Sequence, residues 1–218
     1  MSCVPGSHCT SRYGPVPTYA RPEGVIQEGF FVARLVHRAH NVVGERLELA
    51  VQQLVGPGVG LLPVDDEGLV LVARRAERLD SLVAQLRAGH AIRVHVLVAD
   101  LSDAEATRRV EERIQQLDAL TVLVHAAGFG TVGSFAGQAV DRHVEMIQVH
   151  DVAAVRLTRA ALPGMIARRR GAIIHVSSVA AFVAGPGSVT YSATKAFLNV
   201  FCEGLQAELA GTGGVVKE

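Results

Sequence analysis

The chain has 218 residues, enough for one α/β domain, and a composition of 49% apolar and 19% charged residues argues against global disorder. Basic and acidic residues balance at 21 each, so no excess charge points to nucleic acid as a partner. No apolar run reaches the ~18 residues of a membrane span. There is no signal-peptide pattern, and the three cysteines do not form a disulfide framework. These features predict a cytoplasmic protein that binds neither membranes nor nucleic acids.

The first 68 residues lack the regular pattern of the rest of the chain. Residues 1–24 are rich in proline, which predicts a disordered tail. Residues 25–68 form an atypical segment of uncertain structure that includes a glycine cluster at 56–60. No metal site is predicted from Cys3, His8 and Cys9, because no second ligand pair follows them at zinc spacing.

From residue 69 onward, apolar runs of strand length alternate with segments of helical periodicity. Such alternation implies parallel strands joined by crossover helices, so we expect a Rossmann-type doubly wound parallel sheet with helices on both faces over residues 69–210. Ser102 is placed to cap the second helix. The predicted strands cover 69–73, 93–99, 121–126 and 172–177, and the predicted helices cover 75–88, 103–117, 138–167 and 191–209.

A tyrosine, a lysine and a serine form the constellation with the clearest chemistry. Tyr191 and Lys195 lie one turn apart on one helix face, and Ser178 follows the strand that precedes this helix. A phenol can protonate a developing alkoxide, an ammonium lowers the phenol pKa, and a serine hydroxyl can stabilise charge on a substrate oxygen. The chain has 19 arginines but only two lysines, which suggests that position 195 requires an amine. The alternative is a surface helix with an exposed tyrosine and lysine.

Residues 69–210 resemble the short-chain dehydrogenase/reductase family, and within it the broad ketone reductases. The resemblance is carried by VLVARRAERLDSL, VADLSD, VLVHAAGFG, LTRAALPGM, GAIIHVSSVAA and YSATKAFLNVFCEGLQAEL. It implies hydride transfer between a nicotinamide cofactor and a ketone or secondary alcohol. Tyr191 would be the general acid/base, Lys195 would lower its pKa and hold the nicotinamide ribose, and Ser178 would polarise the carbonyl.

The resemblance also implies where the cofactor binds. Arg74 and Arg75 follow the strand that normally delivers a ribose-binding acid, so they favour the 2′-phosphate of NADP over NAD. The alternative is a pair of solvated arginines at a helix start. The implied cofactor contacts are Arg74, Arg75, Asp100, Leu101, Ala126, Ala127, Gly128, Tyr191 and Lys195.

Three features depart from the family pattern. The Gly-x-x-x-Gly-x-Gly phosphate turn is missing, and the strands at the sheet centre lose partners unless FFVARLV or VGLLPV replaces the first strand. His150 stands where the family has a proton-relay asparagine; it could relay a proton as a catalytic residue or be a partly buried, hydrogen-bonded histidine. His125 also replaces an asparagine. Residues 211–218 are expected to begin the next strand, so both ends predict an incomplete fold from a fragment or an altered reading frame.

Two functions therefore stay open. One is an oxidoreductase that uses NADP(H), with NAD less favoured, on a ketone or secondary alcohol. The other is a degenerate homologue without activity, at most a dimerising scaffold. Family analogy predicts a homodimer or homotetramer through helices 138–167 and 189–210. Residues expected to contribute, or else to be buried inside the subunit, are Ala160, Ala161, Met165, Phe197 and Phe201.

Overall fold

The computed structural model describes residues 60–64, 68–89, 93–183, 185–212 and 214–217, the first and last of these ranges by their backbone. The disordered tail predicted at 1–24, the cysteines in it and most of the atypical segment 25–68 lie outside the described residues, so those expectations stay predictions.

The described chain forms a six-stranded sheet with five α-helices. The strands are β1 Gly60–Val64, β2 Gly68–Ala73, β3 Arg93–Val98, β4 Val122–His125, β5 Gly171–His175 and β6 Gly214–Lys217. The helices are α1 Ala76–Gly89, α2 Ala104–Gln115, α3 Val140–Ile147, α4 Ala153–Ala167 and α5 Val189–Glu208. The spatial order of the strands is β3-β2-β1-β4-β5-β6.

The central strand β1 runs against its neighbours, whereas the other strands are parallel to one another. Gly60 pairs with Val72 and Val64 pairs with Gly68, so β1 and β2 form a hairpin. The connection between them is far shorter than the dozen or so residues that a parallel crossover needs, which forces the antiparallel direction. The Rossmann-type sheet is thus confirmed, with one correction: the GLLPV part of VGLLPV contributes the central strand, but in the reverse direction.

Alternate residues of the strands point to opposite faces of the sheet and belong to two separate hydrophobic cores. Val70 and Val72 belong to the core shared with α2, α4 and α5, whereas Leu69 and Leu71 belong to the core under α1. Helices therefore cover both faces, as predicted. Of the residues considered for subunit contacts, Ala161 and Met165 are buried in the first of these cores, so the alternative of a place inside the subunit holds for them.

Two helix predictions need correction. The cap of α2 is Asp103, whose carboxylate accepts a hydrogen bond from the Ala106 N–H at 2.7 Å, because Ser102 is already bonded to Asp100. The helix predicted over 138–167 is interrupted by a π-helical segment at Gln148–Val152. Such segments widen a helix locally and are frequent at functional sites. None of the described helices combines the length and the apolar character that crossing a membrane requires.

Candidate active site

The residues singled out in the sequence gather at the carboxyl edge of the parallel strands. Arg74 follows β2, Asp100 lies beyond β3 and Ala126 follows β4. Ser178 lies beyond β5, and Tyr191 is on the first turn of α5. This is the edge at which ligands bind in doubly wound sheets.

Tyr191 and Lys195 are buried neighbours on α5. Their side chains share one helix face, and the Lys195 Nζ atom lies 5.6 Å from the centre of the Tyr191 ring. The Nζ atom donates a hydrogen bond of 2.8 Å to the carbonyl oxygen of Val176, just beyond β5. Only 8% of Tyr191 and 4% of Lys195 is exposed, so the alternative of an exposed surface pair is wrong.

Ser178 begins a short 3₁₀ turn, Val179–Phe182, that packs against α5. Its hydroxyl oxygen accepts a hydrogen bond of 3.2 Å from the Ala180 N–H. The preceding Ser177 fastens the same loop to α5, because its Oγ atom lies 2.5 Å from the Asn199 Oδ1 atom and 3.1 Å from the Lys195 carbonyl oxygen. The serine loop and the helix that carries the tyrosine are therefore held together.

His150 lies in the π-helical segment, and its ring connects the residues beyond β4 to α5 through hydrogen bonds. The Phe129 N–H donates to the Nε2 atom of His150 at 2.9 Å, so Nε2 carries no proton. The proton is on Nδ1, which lies 2.9 Å from the Thr194 hydroxyl. That hydroxyl in turn donates to the Tyr191 carbonyl oxygen at 2.9 Å. Both ring nitrogens are thus engaged, and the ring is fully buried.

The surroundings of His150 keep its ring neutral. Burial lowers the pKa of His150 to about 3, and the positive charge of Lys195 acts in the same direction. Gly128 makes the close packing possible, since a Cβ atom at this position would lie 2.7 Å from the Nε2 atom of His150. The packing of His150 therefore requires a glycine at position 128, in addition to any contact that Gly128 makes with a cofactor.

The sequence reasoning missed a further buried histidine, His175. Its Nδ1 atom lies 3.4 Å from the Nδ1 atom of His125, and its Nε2 atom lies 3.0 Å from the Thr158 hydroxyl. Burial lowers the pKa of His175 to about 4 and that of His125 well below its ordinary value. The sequence shows only that each histidine ends an apolar strand, and it is the register of β4 against β5 that makes the two partners.

Asp151, next to His150, is another polar residue that the sequence reasoning passed over. Its Oδ1 atom is buried and has no hydrogen-bond partner among the described residues. Burial raises the pKa of Asp151 to about 7, although the positive charge of Lys195 opposes this shift. The neighbourhood of Lys195 thus holds a carboxyl group that changes its charge near neutral pH.

The other end of the edge is open and charged. The Arg74 Nη1 atom lies 3.6 Å from a carboxylate oxygen of Asp100, and Asp100 also accepts hydrogen bonds from the Ser102 N–H and hydroxyl. Burial alone would raise the pKa of Asp100, but the bonds from Ser102 and the charge of Arg74 outweigh it and lower the pKa. Arg75 is exposed, whereas Leu101 is buried and accepts a bond from Thr107 through its carbonyl oxygen.

The fit of a dinucleotide differs along this edge. The resemblance implies an adenosine beside Arg74 and Asp100, and a nicotinamide beside Tyr191 and Lys195. Between them, β1 runs in the reverse direction, so its carboxyl end lies at the opposite edge of the sheet. Over the described residues, no turn into a helix follows β1 that would supply amide donors to phosphates. These residues also contain no group of three or more ligands suited to a metal ion.

Comparisons with known proteins agree with this arrangement. The family model described as short chain dehydrogenase matches residues 64–217. A short chain dehydrogenase of Pseudocercospora fijiensis is 38% identical over 148 residues, which is 65% of this chain and 47% of the relative. A very-long-chain 3-oxoacyl-CoA reductase of Anas platyrhynchos is 30% identical over 156 residues, 68% of this chain and 49% of the relative. The chain thus spans about half the length of these two curated relatives.

Solved structures give the same result. A short-chain dehydrogenase from Sphingobium yanoikuyae in complex with NADPH superposes with a TM-score of 0.66 at 34% identity, covering 69% of this chain and 59% of that one. A bulky-bulky ketone specific alcohol dehydrogenase from Comamonas testosteroni gives a TM-score of 0.66 at 30% identity, covering 69% of this chain and 61% of that one. The molecule is a Rossmann-type α/β protein. Within that class, it belongs to the short-chain dehydrogenase/reductase family.

Proposed function

We propose that this chain transfers a hydride between NADP(H) and a ketone or secondary alcohol. The observation that carries the proposal is the buried pair of Tyr191 and Lys195, with the Nζ atom 5.6 Å from the phenol ring, beside the loop of Ser178. The relatives with a printed activity are oxidoreductases, and a ketone-specific alcohol dehydrogenase is among the similar structures.

Each of the three side chains has one task in the proposed mechanism. The nicotinamide cofactor supplies or accepts the hydride when bound. Tyr191 gives its phenolic proton to the substrate oxygen in reduction and takes it back in oxidation. The Lys195 ammonium, oriented by the Val176 carbonyl, stabilises the phenolate form. The Ser178 hydroxyl donates a hydrogen bond to the substrate oxygen while its lone pair accepts from the Ala180 N–H.

For His150 we propose a positioning role, which revises the catalytic role expected from the sequence. Both ring nitrogens are bonded, to Phe129 and Thr194, and no part of the ring is exposed. A ring in this state has no free position through which to pass a proton to solvent. It instead fixes the first turn of α5 through Thr194, which also bonds to the Tyr191 backbone.

We propose NADP(H) rather than NAD(H) as the cofactor because Arg74, beyond β2, offers a cation to a 2′-phosphate. Similar structures were determined with NADPH or NADP bound. The exposed Arg75 can assist from the same turn. Asp100 and Leu101 would border the adenine, and Ala126, Ala127 and Gly128 the cleft.

The test compares the parent chain with Tyr191→Phe. NADPH oxidation is measured with a panel of ketones, and NADPH and NADH binding is measured by fluorescence. We expect micromolar NADPH binding in both proteins and a loss of turnover of about 100-fold or more in Tyr191→Phe, the usual size of a lost general acid. An active Tyr191→Phe protein would refute the assigned mechanism.

A second candidate is a degenerate homologue that does not bind the cofactor, and the reversed β1 favours it, since the phosphate-binding turn has no counterpart in the described residues. The same titration separates the two. Absence of NADPH binding even at millimolar concentration would support the inactive homologue.

We further propose that the subunit forms a homodimer or homotetramer through α3, α4 and α5. Apolar side chains stand exposed on these helices, among them Val144, Ile147, Val155, Phe197 and Val200. Contiguous apolar patches mark contacts with other proteins, and we propose that these side chains contribute to such a patch. Sedimentation velocity of the parent and of Val200→Asp measures it, and a monomeric parent would exclude the proposal.

A further inference from the structure

One nitrogen of Arg74 lies between two carboxylates that come from different parts of the fold. Its Nη1 atom is 3.6 Å from Asp100 Oδ2 and 3.6 Å from Glu145 Oε1. Asp100 is fixed by its two bonds to Ser102. Glu145, on α3, also pairs with Arg142 one turn earlier on the same helix. Each carboxylate that faces Arg74 is therefore also bonded to another group, Asp100 to Ser102 and Glu145 to Arg142.

The contact between Arg74 and Glu145 crosses the edge of the sheet. Arg74 extends from the end of β2, whereas α3 follows β4 in the chain, and β1 separates these two strands in the sheet. The Arg142 guanidinium lies 4.4 Å from the centre of the Phe129 ring, close beyond β4. The ion pairs thus connect the adenosine end of the edge to the elements behind the nicotinamide end.

We propose that Glu145 is a specificity-determining residue whose carboxylate competes with the cofactor 2′-phosphate for Arg74. This inference rests on the proposed function, because it requires a nucleotide at this edge. A phosphate that approaches Arg74 meets two carboxylates, and their repulsion opposes the attraction of the guanidinium. Arg142 has the opposite effect, since it draws Glu145 away from Arg74.

The probes are 2′,5′-ADP and 5′-AMP, which differ by the 2′-phosphate alone. The ratio of their dissociation constants, measured by calorimetry at low salt, isolates recognition of that phosphate from all other contacts. Two unit charges about 4 Å apart interact by about 1 kcal/mol in water, equivalent to about fivefold, and we take this lower limit because Arg74 and Glu145 are partly exposed. We therefore expect Glu145→Gln to raise the preference for 2′,5′-ADP about fivefold.

Two further variants give the direction of the effect. Arg142→Gln removes one of the two guanidinium groups that pair with Glu145, so Glu145 should bind Arg74 more strongly. The preference for 2′,5′-ADP should therefore fall by about twofold. Glu112→Gln is the matched control, because Glu112 pairs with Arg108 on the exposed face of α2, and it leaves the ratio unchanged. Raising the ionic strength to about 0.5 M reduces the effect of Glu145→Gln, as expected for exposed charges.

An unchanged ratio in a folded Glu145→Gln protein, with both probes bound, overturns the inference and leaves the proposed function intact. If that variant does not fold, Glu145→Asp replaces it, since its shorter side chain withdraws the carboxylate and should raise the ratio part of the way. A parent that binds 2′,5′-ADP and 5′-AMP equally, or binds neither, also overturns the inference. Failure to bind NADPH as well would remove the proposed function.

Discussion

The two halves of the sheet, on either side of β1, hold their polar residues in different ways. On the side of β4 and β5, Lys195, His150 and His175 are buried and each is tied by short hydrogen bonds. On the side of β2 and β3, Arg74 and Asp100 meet at the surface across 3.6 Å. Buried bonds fix geometry and resist salt, whereas exposed ion pairs are weak and screened. The first half therefore suits the proposed chemistry, and the second suits the proposed binding of the cofactor.

The largest expected effect is on turnover, from a change in the buried half. Lys195→Met keeps the length of the side chain but removes the ammonium beside Tyr191. We expect kcat at saturating NADPH to fall about 100- to 1000-fold, because the phenolate loses its stabilising charge. Circular dichroism confirms the fold. A variant that keeps more than about a tenth of the activity would contradict the role given to the lysine.

The matched change in the open half is Arg74→Gln, which we expect to weaken NADPH binding while kcat at saturation stays within about threefold of the parent. If kcat fell as far as in Lys195→Met, the division of the edge into a chemical half and a binding half would be wrong.

The next prediction concerns pH and the buried histidines. His150 and His175 stay neutral in the fold, with pKa values of about 3 and about 4. The unfolded chain binds a proton at each near pH 6.5, so stability is complete above that pH and is lost as the pH falls toward the folded values. At about pH 5 each histidine lowers the free energy of unfolding by about 2 kcal/mol. Asp151 acts in the opposite direction, since its raised pKa favours the fold as it becomes protonated.

Because these contributions oppose one another, the measurement is a difference between proteins. Urea unfolding at about pH 7.5 and about pH 5 is compared for the parent, His150→Gln and the exposed control His95→Gln. The fall in stability should be smaller by about 2 kcal/mol in His150→Gln and unchanged in His95→Gln. An equal fall in stability in all three proteins would mean that His150 takes up a proton in the folded protein as readily as in the unfolded chain.

Gly128 and Gly130 offer a sharper test of packing in the buried half. In Gly128→Ala the added Cβ atom would lie 2.7 Å from the Nε2 atom of His150. We expect a loss of about 1–3 kcal/mol, because the buried ring has little room to move. In Gly130→Ala the new atom meets Tyr191 at 3.7 Å, an ordinary contact, so stability should change by less than about 0.5 kcal/mol. Equal losses in the two variants would contradict this account of His150.

The sequence predicted what depends on local spacing. The i, i+4 relation of Tyr191 and Lys195 follows from helical geometry alone, and the alternation of apolar strands with helices predicted the sheet. It left open how VGLLPV would run, because strand direction depends on the whole connection to β2. The connection between β1 and β2 is too short for a parallel crossover, and this is the physical reason why β1 runs in the reverse direction.

Contacts between distant residues could not be predicted. The pair of His125 and His175 requires the register of β4 against β5, and the contact between Arg74 and Glu145 requires α3 to lie across the edge from the end of β2. The sequence allowed a hydrogen-bonded His150 as an alternative, but it could not identify Phe129 and Thr194 as the partners. Each of these is a property of the assembled edge, not of any one motif.

The smallest expected effect is on stability, from Arg74→Gln in the open half. The Arg74 side chain is 43% exposed and its Nη1 atom lies 3.6 Å from each carboxylate, so its loss should lower the free energy of unfolding by less than about 1 kcal/mol. Urea unfolding at low salt and at about 0.5 M salt measures this, and the difference from the parent should shrink as salt screens the charges. A loss above about 2 kcal/mol that persists in salt would mean that the ion pairs hold the fold together across β1. The open half would then contribute to stability as the buried half does. A phosphate that replaced Glu145 at Arg74 would in that case destabilise the protein.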